Sequence, residues 1–193
     1  ANVVLHAGGT PVFADIDPVT MNVDPRAVEA AVTPRTRALL PVHFAGRPAD
    51  LPALRRIGER SGLVLIEDAA HCVDATIGRT RVGAIGDYTC FSFYATKNLT
   101  TGEGGMVTTG LAERAEWMRV AALHGLSRDA WVRYARVAGP LYDIAMAGFK
   151  YNMTDLQAAL GLRQLQRLPE MQARRQAIWR RYDEELADLP LTR

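Results

Sequence analysis

Cysteine is scarce in this chain, long apolar runs are missing, and neither sign of charge dominates. Only Cys72 and Cys90 occur in 193 residues. They are too far apart for a C-x-x-C motif and sit in apolar surroundings, which fits buried free thiols better than a disulfide or a zinc site. The histidines at 6, 43, 71 and 124 form no H-x-x-x-H pair and have no cysteine at ligand spacing, so no metal is expected. No segment approaches the roughly 18 to 20 apolar residues of a membrane span. No basic-then-apolar signal opens the chain, which therefore reads as cytoplasmic and without a membrane partner. With 23 Lys+Arg against 21 Asp+Glu the net charge is only +2, too small to argue for nucleic acid. Arg174, Arg175, Arg180 and Arg181 gather late, but Glu170, Asp183, Glu184 and Glu185 interleave with them as on a solvated helix face. There is no internal repeat and no low-complexity segment.

What is present is ordinary for a globular domain with a sizeable core: 48% hydrophobic and 23% charged residues, with one domain as the default. Residues 1–7 carry apolar positions at helical spacing and stop at Gly8-Gly9. A strand is expected at 11–16, and a short helix capped by Asp24 runs from Pro25 to Val32. A buried strand follows at 37–44, then a helix at 49–61 with Leu51, Leu54 and Ile57 on one face, then a strand at 63–67. Glycines at 78, 83 and 86 make 75–87 a hairpin with turns. A strand at 106–109, a helix at 111–123 and a short helix at 128–136 come next. Thr154 caps a helix through Leu168, and Pro169 is expected to separate it from a second, amphipathic helix to about Leu186. Alternating strands and helices predict an α/β fold, a mostly parallel sheet with helices on both faces.

The stretch 92–106, S-F-Y-A-T-K-N-L-T-T-G-E-G-G-M, frames Lys97 with small, hydroxylated and glycine residues. It follows an apolar, strand-like run, so Lys97 stands where a strand end enters a tight loop, and a partly dry setting makes a lysine amine a usable nucleophile. A phosphate-binding loop needs its lysine after the glycines, and here the order is reversed. An exposed loop lysine is the plain alternative. Upstream, L-V-L-I-E at 63–67 reads as a strand buried on both faces and runs into Glu67, Asp68, Ala69, Ala70 and His71. Carboxylates at that end of a parallel strand are expected at the rim where α/β sheets bind ligands. An aspartate there and a lysine further along suit pyridoxal phosphate, the lysine forming a Schiff base and the carboxylate facing the pyridine nitrogen. Asp68 has a second reading as a helix N-cap for the turn that follows.

The segment E-D-A-A-H at 67–71, the lysine stretch, and F-K-Y-N-M-T-D-L-Q-A-A-L-G at 149–161 together resemble the DegT/DnrJ/EryC1/StrS family of sugar aminotransferases, fold-type I enzymes that use pyridoxal phosphate. The resemblance is collinear over essentially the whole chain. H-G-L-S-R-D-A-W at 124–131 is similar to the branch that aminates the 4-keto group of nucleotide-linked hexoses. It implies an amino group moved from glutamate to a keto group of a nucleotide sugar, and a homodimer with shared sites. It also implies that residues 1–168 are the large cofactor-binding domain without its N-terminal part. Residues 169–193 would be a helix leading to an absent smaller domain, so that the sequence is an internal piece of a longer enzyme. Lys97 and Asp68 take the catalytic roles. His71 would approach the phenolic oxygen of the cofactor, Ser92 its phosphate, and Asn152, with Lys150 and Tyr151, the neighbouring subunit's cofactor. Ser92 has the alternative of bonding its own strand backbone, and the 150–152 triplet that of a polar loop before the Thr154 cap. His43 and Gly46 are assigned packing near the pocket. Two rivals stay open: a same-fold dehydratase, whose members carry histidine where Lys97 stands, and a cofactor-binding regulatory protein without turnover.

Overall fold

The computed structural model describes residues 1–126 and 144–190; the short helix expected at 128–136 lies outside them. Two neighbouring apolar stretches set the centre of the sheet. Strand β1 (Ala38–Leu39) pairs in parallel with β2 (Val64–Asp68). β1 is far shorter than the expected 37–44 because Pro41 has no N–H to continue the ladder, and the chain rejoins it only where Val42 bridges Asp68. A two-stranded hairpin follows, β3 (Thr76–Ile77) and β4 (Thr80–Arg81), as the glycines foretold. β5 (Tyr88–Ser92) then pairs in parallel with β2, and β6 (Gly105–Thr108) closes the sheet antiparallel to β5. The main sheet therefore has the order β1-β2-β5-β6 and is parallel except at one edge.

Helices α1 (Asn2–His6), α2 (Pro25–Ala31) and α3 (Leu51–Ser61) fall where the spacing put them. Asp24 and Asp50 cap α2 and α3 by accepting the Arg26 and Ala53 N–H groups, and Gly62, at φ 64, ends α3. Leu51, Leu54 and Ile57 recur every third residue, so they form one stripe, which packs with Val28 against Leu39 and Leu65 as the main core. Removing a buried leucine there is worth about 2–5 kcal/mol. The expected strand at 11–16 is absent apart from one bridge, Ile16 to Val23. Val12 and Phe13 find no partner strand among the described residues and lie exposed, and Asp17 folds the chain back by accepting from Val19 and Thr20.

Helix α4 (Ala112–Ala122) is tied to the start of β5 by Arg114, which pairs with Asp87 at 3.2 Å and lies over the Tyr88 ring. The last helix corrects an expectation. Instead of breaking at Pro169, a single 31-residue helix, α5 (Asp155–Glu185), runs through it. An interior proline costs roughly 3 kcal/mol, but contacts on both sides hold the two halves in line. Gln157 donates to the Glu103 carbonyl before the proline, Leu168 is buried next to it, and Arg175 donates to the Asn98 carbonyl beyond it.

Candidate active site

Strands β2 and β5 end side by side, at Asp68 and Ser92. Asp68 is paired with Cys90, and side chains alternate along a strand, so Asp68, Cys90 and Ser92 share one face of the sheet. Beyond β2 the chain makes a tight turn, with Cys72 N–H donating to the Ala69 carbonyl. The Asp68 carboxylate accepts the Ala70 N–H at 3.1 Å. It therefore caps a turn and no helix, and its second oxygen has no partner among the described residues. His71, in that turn, is exposed and its ring is likewise without a partner among them.

Beyond β5, Phe93 pins both ends of the lysine loop. Its N–H donates to the Gly104 carbonyl at 2.8 Å, and its carbonyl accepts from the Thr101 N–H at 2.9 Å and the Thr100 hydroxyl at 3.1 Å. Within the loop the Lys97 N–H donates to the Tyr94 carbonyl, and Leu99 is buried beneath. Gly104 is required: at φ 151, a Cβ there would run into the Thr101 hydroxyl. Lys97 is half-buried as a residue, and its amine has no hydrogen-bond or ion-pair partner among the described residues. Ser92 Oγ accepts the Tyr94 N–H at 3.3 Å, the backbone role weighed for it, which leaves its O–H available to donate. Asp68 and Ser92 thus end two adjacent strands, with His71 in the turn after the first and Lys97 in the loop after the second.

Asn152 lies on the segment that leads into α5. It is exposed, its Oδ1 accepts from the Lys150 amine, and its Nδ2 donates to the Met153 carbonyl. The segment joins the loop through its neighbours, since Met153 lies against Gly104 and Gln157 bonds Glu103.

Glu67 is a correction: expected at the ligand rim, it is fully buried on the opposite face of β2. Its Oε1 accepts the Gly86 N–H at 2.5 Å and the Thr89 hydroxyl at 2.9 Å, and its Oε2 meets His43 Nε2 at 2.9 Å. His43, assigned packing, is also fully buried, and its Nδ1 accepts the Ala49 N–H at 3.1 Å. Close by, burial and then the charge of Glu67 push the Cys72 thiol up to about 12, and its S–H donates to the Gly46 carbonyl. Burial, followed by Asp68 and Glu67, also raises Cys90. Arg175 was read only as part of a solvated helix face. Its bond to the residue after Lys97 was announced by nothing in the sequence except its wide spacing from Gln157 along one helix. Another signal was available for Lys97: it and Lys150 are the only lysines among 23 basic residues.

A mostly parallel α/β sheet that presents a lysine loop, a carboxylate and a hydroxyl at adjacent strand ends has the large-domain architecture of fold-type I pyridoxal-phosphate enzymes. The chain belongs to the DegT/DnrJ/EryC1/StrS aminotransferase family, which matches across residues 1–193. It is 53% identical over 190 residues to the spore coat polysaccharide biosynthesis protein SpsC of Bacillus subtilis, covering 98% of this chain and 49% of that protein. Among solved structures it is similar to Spr1654 of Streptococcus pneumoniae in its PMP-form, with TM-score 0.89, 34% identity, and coverage of 97% of this chain and 52% of that one. It is also similar to DesI, solved in the presence of its TDP-sugar product, with TM-score 0.81, 40% identity, and coverage of 98% and 45%. The chain thus spans about half the length of the relatives it matches.

Proposed function

We propose that this chain is the cofactor-binding part of a pyridoxal-phosphate-dependent aminotransferase that moves an amino group from glutamate to the C4 keto group of a nucleotide-linked hexose. In this reading residues 1–168 are the large domain, residues 169–193 lead on towards a smaller one, and the complete protein works in the cytoplasm as a homodimer. The observation that carries it is the Lys97 amine, uncommitted to any described residue, in a loop anchored at both ends beside the Asp68 and Ser92 strand ends. The donor set suits the cofactor: an amine for its aldehyde, a carboxylate for its ring nitrogen and a hydroxyl for its phosphate. DesI's TDP-sugar product supports the nucleotide-sugar class, and SpsC's place in polysaccharide biosynthesis supports a sugar destined for a polymer.

Bound there, pyridoxal phosphate would supply an electron sink that makes a proton next to nitrogen removable. The protein's own share follows from its groups. Lys97 Nζ is the base that takes that proton and returns it, since a flexible four-carbon stem lets one amine reach both positions. The Asp68 carboxylate, with one oxygen left over from its turn, holds a proton on the ring nitrogen. The Ser92 O–H would hold the cofactor's phosphate, His71 would approach its phenolic oxygen, and Asn152 would serve the partner subunit's site. Lys97 weighs against the dehydratase alternative, whose members carry histidine at that position.

The test uses the full-length protein. Borohydride reduction with pyridoxal phosphate, followed by peptide mapping, is expected to label Lys97 and spare Lys150, the other lysine of this stretch. Lys97→Ala should abolish both the label and amino transfer from glutamate to a nucleoside-diphosphate 4-keto hexose. Labelling confined to Lys150, or transfer surviving in Lys97→Ala, would overturn the assignment.

A further inference from the structure

The buried face behind Asp68 carries a polar group that the core there does not need. Position 67 follows Leu65 on the same face of β2 and is wholly inside, where a well-packed apolar side chain is often as stable as a buried ionic network or more so. Three donors meet Glu67 instead, and the tautomer of one can be read from geometry. Because the Ala49 N–H donates to His43 Nδ1, that nitrogen carries no proton, so the ring's proton sits on Nε2 and is donated to Glu67 Oε2. The Gly86 N–H and Thr89 O–H fill Oε1, and a Cβ at Gly86 would collide with that oxygen. The carboxylate accepts from all three neighbours and has no Lys or Arg partner among the described residues.

These donors stand on the segments that grip Asp68. The His43 N–H donates to the Asp68 carbonyl at 3.0 Å, and the Asp68 N–H donates to the Pro41 carbonyl at 2.9 Å. On the other side Asp68 pairs with Cys90, whose carbonyl accepts the Ala69 N–H at 2.8 Å. Through His43 the Glu67 side chain holds the first segment, and through Thr89 it holds the second. Alternation points it away from the face Asp68 occupies, so it acts through the backbone and not on a ligand. We propose that Glu67, oriented by the Nε2–H tautomer of His43, is the positioning residue for Asp68, fixing the strand end from which the Asp68 carboxylate meets the cofactor. This rests on the proposed function for what Asp68 meets, but the network itself belongs to the protein without cofactor.

Two measurements on the full-length protein test it. Nitrogen-15 NMR of the cofactor-free protein is expected to show the His43 ring protonated on Nε2 alone; a proton on Nδ1 would overturn the proposal without any variant. The second is a double-mutant cycle read as pyridoxal phosphate affinity of the cofactor-free protein, with circular dichroism confirming the fold. Glu67→Gln keeps the shape and leaves an amide N–H₂ facing donors. It should weaken binding about tenfold when Asp68 is present and less than about twofold in an Asp68→Asn background, the non-additivity of groups that act as one unit. Equal losses in both backgrounds would overturn the positioning role alone. Near-normal amino transfer by Asp68→Asn would overturn the reading of the site, and this proposal with it.

Discussion

Glu67 and Asp68 differ by one methylene and are neighbours in sequence, yet β2 sends one carboxylate into the core and leaves the other at the edge. Alternation separates them, but which side is the core depends on Leu39, Leu51 and Leu54, which pack on the Leu65 side. The sequence shows L-V-L-I-E-D as one apolar run with two acids at its end. It cannot show that His43 and Thr89, distant along the chain, will satisfy the first acid. The placement of Asp68 at a strand end and of Lys97 in a glycine loop was legible because those surroundings are local. Cys72 was also legible as a buried thiol, and its behaviour can be predicted from its setting. With its thiol pushed up to about 12 by burial and then by Glu67, and only 1% exposed, Cys72 stays overwhelmingly in its unreactive thiol form at pH 8. Iodoacetamide at pH 8 should therefore leave Cys72 unmodified in the native protein and alkylate it in urea. Equal rates in the two conditions would contradict the burial.

Helices were read more reliably than strands, because caps and apolar spacing are local while a ladder needs a partner. Asp24 and Thr154 each cap the helix they announced, and Asp50 caps α3. The segment at 11–16 has strand-like residues but, among the described residues, pairs only through the Ile16–Val23 bridge. Pro169 was misjudged because local helix chemistry was overridden by tertiary contacts on either side of it. Asp87 shows how elements are joined by one residue. Its carboxylate accepts the Leu65 N–H of β2 at 2.9 Å, Arg55 of α3 at 3.0 Å and Arg114 of α4 at 3.2 Å. Burial pushes its acidity the unfavourable way, but the Leu65 N–H and the two guanidinium groups outweigh that and hold Asp87 below the usual carboxylate range. A carboxyl group that is more acidic folded than unfolded stabilises the protein above its unfolded value and loses that contribution as pH falls through the folded one. Asp87→Asn should thus cost about 1–3 kcal/mol at pH 7. In urea or thermal unfolding the gap to wild type should hold down to about pH 4 and close below it. A gap that is the same at pH 3 would mean that Asp87 contributes through shape and not through charge.

At the scale of the whole molecule, the site edge and the outer surface meet at one place. The Gly104 turn of the lysine loop touches Met153 and Gln157 at the start of α5, and on the outer side of that junction Tyr151 is 75% exposed and Leu156 86% exposed. Phe149 and Tyr151 stack with ring centroids 4.9 Å apart, forming an apolar surface beside Lys150 and Asn152. We propose that a partner surface lies there, which would account for the exposure and give the polar triplet a role at a neighbouring subunit's site. In a two-fold dimer the same triplet would enter both sites, so each pocket would borrow Asn152 from its neighbour. Mixing inactive Lys97→Ala subunits with inactive Asn152→Ala subunits, both full length, separates shared from private sites. With shared sites a heterodimer holds one pocket carrying both lesions and one carrying neither. With private sites every pocket keeps one lesion. Random pairing of equal amounts makes about half the dimers heterodimers with one sound site in two, so activity should recover to about a quarter of wild type. Absence of recovery after subunit exchange has been demonstrated by mass spectrometry would return Asn152 to a local role at the Thr154 cap.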